Sequence, residues 1–114
     1  MDGQKEMAAG ALNTLAHNNA ANKVAIAKQG GIAPLVALAK SGTAEQKEQA
    51  AGALNTLSFA KPDNQVAIAK QGGIAPLVAL ATSGTDGQKE KAELALANLA
   101  DNDDCLLYTS PSPR

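Results

Sequence analysis

The sequence predicts an all-α solenoid with three helices per 42-residue unit, on two observations. The first is repetition. Ala8-Ala-Gly-Ala-Leu-Asn-Thr-Leu15 recurs unchanged as Ala50 to Leu57, and Lys28-Gln-Gly-Gly-Ile-Ala-Pro-Leu-Val-Ala-Leu-Ala39 recurs as Lys70 to Ala81, both 42 positions on. A looser third copy, Ala92-Glu-Leu-Ala-Leu-Ala-Asn-Leu99, keeps that spacing, and Asp2-Gly-Gln-Lys-Glu6 reappears two periods later as Asp86 to Glu90. A period of this length marks a supersecondary unit that stacks on its neighbours. The second observation is composition: alanine and leucine dominate the 114 residues, aromatics are 2% and tryptophan is absent. A core without large rings needs many small aliphatic contacts, which suits helices packed closely on helices.

Each unit divides at its own punctuation. Asn22 and Asn64 stand where an N-cap would open a short first helix carrying Val24, Ile26 and Ala27, or Val66, Ile68 and Ala69. Gly30-Gly31 and Gly72-Gly73 end that helix, because glycine enters the left-handed C-cap conformation without steric cost. Pro34 and Pro76 then fall in the first turn of a second helix, where a missing N–H is harmless. That helix presents Leu35, Val36 and Leu38, or Leu77, Val78 and Leu80, and stops at Ser41-Gly42 or Ser83-Gly84. Thr43-Ala-Glu-Gln46 and Thr85-Asp-Gly-Gln88 fit a capping box opening a longer third helix. There Ala50, Ala53, Leu54 and Leu57 make one apolar face. Such helices gain burial only by stacking.

These residues resemble the armadillo repeat: Asn-Lys-Val-Ala-Ile-Ala-Lys-Gln-Gly-Gly-Ile-Ala-Pro-Leu-Val-Ala-Leu-Ala at 22–39, repeated at 64–81 with Gln65 for Lys23, and the Ala-Gly-Ala-Leu motif of the third helix. The resemblance covers residues 2 to about 102. It implies a right-handed α-α superhelix, the armadillo solenoid, and the glycine of the third-helix motif is more similar to fungal vacuolar armadillo proteins and plant U-box ligases than to nuclear-import receptors. HEAT repeats are the nearest rival, but have two helices per unit and lack the Gly-Gly-x-x-Pro junction.

On this frame residues 1–17 are the third helix of an incomplete repeat, 18–60 and 61–104 are full repeats, and 105–114 break the period. That last segment, Cys105-Leu-Leu-Tyr-Thr-Ser-Pro-Ser-Pro-Arg114, reads as an in-frame translation of a transposase-based sequencing adaptor. It is expected to be non-native and disordered, with further repeats following in the natural protein. Solenoid ends without polar capping repeats expose leucine and alanine, so self-association through the end faces is expected.

The bulk properties exclude several function classes. A formal charge of −1 without any Lys/Arg-rich block gives no cationic surface for nucleic acid. Apolar runs such as Ile74 to Ala81 are too short to cross a bilayer and contain proline. Met1 is followed by Asp-Gly-Gln-Lys-Glu, not by a signal peptide, so an intracellular setting, cytoplasmic or nuclear, is expected, without direct membrane insertion. Cys105 is the single cysteine and His17 the single histidine, so no disulfide framework or protein-made zinc site is expected. Gly-Gly-Ile-Ala-Pro is no phosphate loop, since it follows a helix and lacks the Gly-Lys-Ser/Thr ending. Asp101 to Asp104 lacks calcium-loop spacing. No serine or threonine has a base in helical register, so neither enzyme activity nor a cofactor is expected.

The resemblance implies a groove lined by third helices, along which extended peptides lie. The slot that holds tryptophan in import receptors falls at Gly10, Gly52 and Leu94, and the slot of the peptide-binding asparagine at Thr14, Thr56 and Asn98. Asn98 alone matches, and the tryptophan walls are absent, so receptor-type recognition of nuclear localisation signals is not expected. Glu6, Glu48 and Glu90 recur one turn earlier and would favour a basic peptide. Lys5, Lys47 and Lys89 stand beside them, and a solvated face is the plainer reading. Gly10 and Gly52 each cost about 1 kcal/mol in a helix interior, so something approaches closely there, either the next repeat or a ligand strand. The expected function is a protein-protein interaction scaffold holding an extended segment; the alternative is a purely architectural spacer within a larger protein such as a ubiquitin ligase.

Overall fold

The computed structural model describes residues 9–11, 13–15, 17, 19–102 and 105, and among these every regular element is helical. Helical residues 9–11 and 13–15 (α1) precede α2 (Ala20–Lys28), α3 (Ile32–Ser41), α4 (Ala44–Ser58), α5 (Pro62–Lys70), α6 (Ile74–Ser83) and α7 (Asp86–Ala100). The helices form two successive triplets, α2–α4 and α5–α7, each with a short, a medium and a long member, as the repeat requires.

The local signals act as read, with one exception. Gly30 and Gly72 take φ of +83° and +85°. Beside them Gly31 N–H donates to Ile26 O at 2.9 Å and Gly30 N–H to Ala27 O at 3.1 Å, a pattern repeated by Gly73 to Ile68 O and Gly72 to Ala69 O. This double bond pattern is the Schellman motif. Both capping boxes form: the Thr43 and Thr85 hydroxyls accept from the Gln46 and Gln88 N–H, and those glutamine side chains accept from the Thr43 and Thr85 N–H. The exception is the start of the short helices. Asn19, not Asn22, caps α2, its side-chain oxygen accepting from the Asn22 N–H at 2.9 Å. α5 has Lys61 as its N-cap, without a side-chain bond, and Pro62 in its first turn.

Asn22 and Asn64 instead reach backwards. Their Nδ2 groups donate to Leu15 O at 2.7 Å and Leu57 O at 2.9 Å, satisfying carbonyls at the end of the preceding third helix. Asn64 also donates to Lys23 O at 3.2 Å, tying α5 to α2. The asparagine is thus a splice between units. Lys23 itself is buried, with Nζ donating to Phe59 O at 3.2 Å and lying 5.2 Å from the Phe59 ring centroid. Burial, and then the neighbouring Lys61 charge, hold its ammonium pKa below the usual lysine value.

The core runs continuously through both triplets: Ile32, Leu35 and Val36 of α3, Ala50, Leu54 and Leu57 of α4, Ile68 of α5, Leu77 of α6, and Ala92, Ala95 and Leu99 of α7. No single helix among the described residues is long and apolar enough to cross a membrane; α5 and α6 reach that length and composition only as a pair bent by 86°. Of the segment 105–114, Cys105 alone is described. It is buried, and its N–H donates to Asn102 O at 3.0 Å; the rest of the expected non-native tail lies outside the described residues.

Candidate functional site

The third helices α4 and α7 lie against each other, because alanines at 50, 51, 53, 92 and 95 keep their surfaces thin. Helical spacing then sets Glu48, Gly52 and Thr56 on one face of α4 and Glu90, Leu94 and Asn98 on the matching face of α7. Gly10 and Thr14 hold the same register on α1. Glu6 lies outside the described residues.

The two halves of this face differ in openness. On α7, Glu90 and Leu94 are exposed, and on α1 so is Thr14. On α4, Gly52 is buried, while Glu48 and Thr56 are half-buried. At Gly52 and Glu48 the reason is the side chain at position 91. A Cβ on Gly52 would lie 3.1 Å from Lys91 Cδ and 3.2 Å from Cε, so the aliphatic stem of Lys91 crosses the glycine. Gly10 is approached in the same way by Gln49 Oε1, 3.5 Å from the position of a Cβ. The glycines admit a side chain from the next unit.

The carboxylate row is similarly occupied. Lys91 Nζ stands 3.8 Å from Glu48 Oε2, and the Glu48 carboxylate rests on Gly87, where a Cβ would come within 2.8 Å of it. Glu48 and Lys91 thereby form a clasp between α4 and α7, partly exposed and so worth little by itself. Glu90 on α7 has no described ion-pair partner.

The hydroxyl and amide slots form rungs between third helices. The Thr56 hydroxyl contacts Asn13 Oδ1 and also donates to Gly52 O at 3.1 Å. Asn98 Nδ2 donates to Asn55 Oδ1 at 2.9 Å, Asn55 O at 3.1 Å and Ser58 Oγ at 3.0 Å. Among the described residues Thr14 donates only within its own helix, to Gly10 O at 3.0 Å. Sequence reasoning missed what meets these slots: Asn13 and Asn55 at the polar rungs, Gln49 and Lys91 at the glycines. A signal was present: stacked neighbours recur at 43 and 39 positions (Asn13 to Thr56, Gly52 to Lys91), offset slightly from the period itself. His17 is exposed in the turn after α1. Among the described residues no group of three His, Cys, Asp or Glu is placed to share a metal ion.

Residues 19–59, which run from the cap of α2 to the end of α4, match the family model of the Armadillo/beta-catenin-like repeat. No curated protein and no solved structure matches the chain. The match covers the first of the two helical triplets, and armadillo repeats generally act as protein-interaction scaffolds.

Proposed function

We propose that the chain is a protein-interaction scaffold that takes an extended, basic partner segment along the third helices α4 and α7. The observation that carries this reading is the fixed register of those helices, which leaves Glu90 and Leu94 exposed beside half-buried Glu48 and Thr56. Leu94 offers an apolar seat, and Glu90 and Glu93 are carboxylates open to solvent on the same helix. Asn55 lends only oxygens to Asn98, and its own NH2 donates to no acceptor among the described residues. That donor is suited to a backbone carbonyl of a guest.

A second reading, spacing without binding, is favoured by one observation: Lys91 closes Gly52 and engages Glu48, removing the middle of the expected acidic row. Fluorescence anisotropy with a labelled Lys/Arg-rich decapeptide separates the two. On the scaffold reading the peptide binds, more weakly at high salt, and Glu90→Lys with Leu94→Ser weakens it at least tenfold. Absence of binding, or binding indifferent to that double substitution, favours the spacer.

A further inference from the structure

A separate cleft of about 450 Å3 lies where the second helices of the two units meet, away from the third-helix face. Its floor is apolar: Ala75, Pro76, Ala79 and Leu80 of α6. Its rim carries Lys40 from the end of α3 and Lys47 from the start of α4, and no carboxylate lines it. Neither lysine side chain has an ion pair or hydrogen bond among the described residues. Another cleft, about 470 Å3 between α2 and α5, has Asp63 beside Lys28 and Lys61 and so shows no single charge preference. In a chain of net charge −1, two cations without a partner among the described residues, set over one apolar floor, form a local field that recruits an anion.

We propose that this cleft docks an acidic protein segment, with an aliphatic side chain seated against Ala75, Ala79 and Leu80 and flanking carboxylates held by Lys40 and Lys47. The volume accommodates one or two side chains, and the exposed Ala75 and Ala79 allow a backbone to approach. The site exists only at the junction of two units, since α6 supplies the floor and α3 and α4 the charges. It is independent of the third-helix reading, and its preferred charge is opposite.

The test is selection of random dodecapeptides displayed on phage against the whole chain, followed by binding of the enriched sequences to three variants. Lys40→Thr installs the residue found one period later at Thr82, Lys47→Gln removes the second cation, and Ala79→Leu fills the floor while keeping both charges. Circular dichroism verifies that each variant folds. Enrichment of peptides joining Asp or Glu to Leu, Ile or Val, with binding lowered at least tenfold by Lys40→Thr with Lys47→Gln and by Ala79→Leu alone, bears the proposal out. Acidic peptides that bind all variants equally overturn it, as does absence of enrichment. Enrichment of Lys/Arg-rich peptides insensitive to these substitutions overturns it while favouring the third-helix face.

Discussion

The triplets α2–α4 and α5–α7 are close copies in sequence, yet their equivalent residues live in different surroundings. Val36 is 8% exposed and its copy Val78 44%. Leu54 is fully buried, whereas Leu96 is half-buried; Ile32 is buried and Ile74 only partly so. The difference lies in what covers them, since α6 and α7 pack over α3 and α4. In the other direction Ile68 and Ala69 are buried while Ile26 and Ala27 are half-buried. Much of this protein's core therefore belongs to the junction between units, and a residue's worth depends on which side it faces.

That comparison can be broken most directly at its leucines. Leu54→Ala is expected to cost about 2–5 kcal/mol, as for a fully enclosed side chain, and Leu96→Ala clearly less; denaturant midpoints measure both. Equal losses would mean that the units have separate interiors. A second test exchanges the glycine slot. Gly52→Leu, which copies Leu94, drives a side chain into the Lys91 stem and should cost about 1–3 kcal/mol, whereas Gly10→Ala meets only an ordinary contact with Gln49 and should gain about 0.5–1 kcal/mol from helix propensity. Thermal melts of the two variants moving in opposite directions sharpen the picture of glycine as a packing device.

Asn98→Ala removes the rung to α4 and should cost about 1–2 kcal/mol, and a double-mutant cycle with Asn55→Ala should show strong non-additivity. The two capping boxes are the control. Thr43→Ala and Thr85→Ala should each lower stability by about 1 kcal/mol, and by similar amounts, because a cap is satisfied within its own helix whichever unit holds it. The smallest effect is expected at Ala60, which holds φ of 57° where Asn18 and Asn102 stand in the neighbouring copies. Ala60→Asn should relieve this left-handed strain and stabilise by about 0.5–1 kcal/mol, visible as a small rise in Tm.

What was legible in the sequence follows the same division. Features closed within one helix or turn, such as the Gly30 and Gly72 ends, the prolines in the first turns of α3 and α6 and the threonine boxes, were readable because their partners lie a few residues away. Features that join units were misread or undecided. Asn22 and Asn64 looked like caps because asparagine favours caps, but their amides reach carbonyls seven residues back and, for Asn64, across to α2. Gly52 could not be assigned to ligand or packing because the answer, Lys91, depends on how α7 slides along α4. The carboxylate row was visible as a pattern, but its neutralising partner was not.

The rungs give the stack a direction. A donor on α4 and one on α7 find their acceptors on the third helix before: Thr56 on Asn13, Asn98 on Asn55. The position after α7's Leu96 that corresponds to those asparagines is Ala97, which has nothing to accept with. An artificial array concatenated solely from the first unit would therefore be latched by an Asn–Thr bond at every joint. One concatenated solely from the second would set Asn98 against Ala97 each time and keep, of the three Asn98 bonds, only the one to the backbone carbonyl at that position. The order of units, and not merely their number, would then decide how stiffly such an array bends.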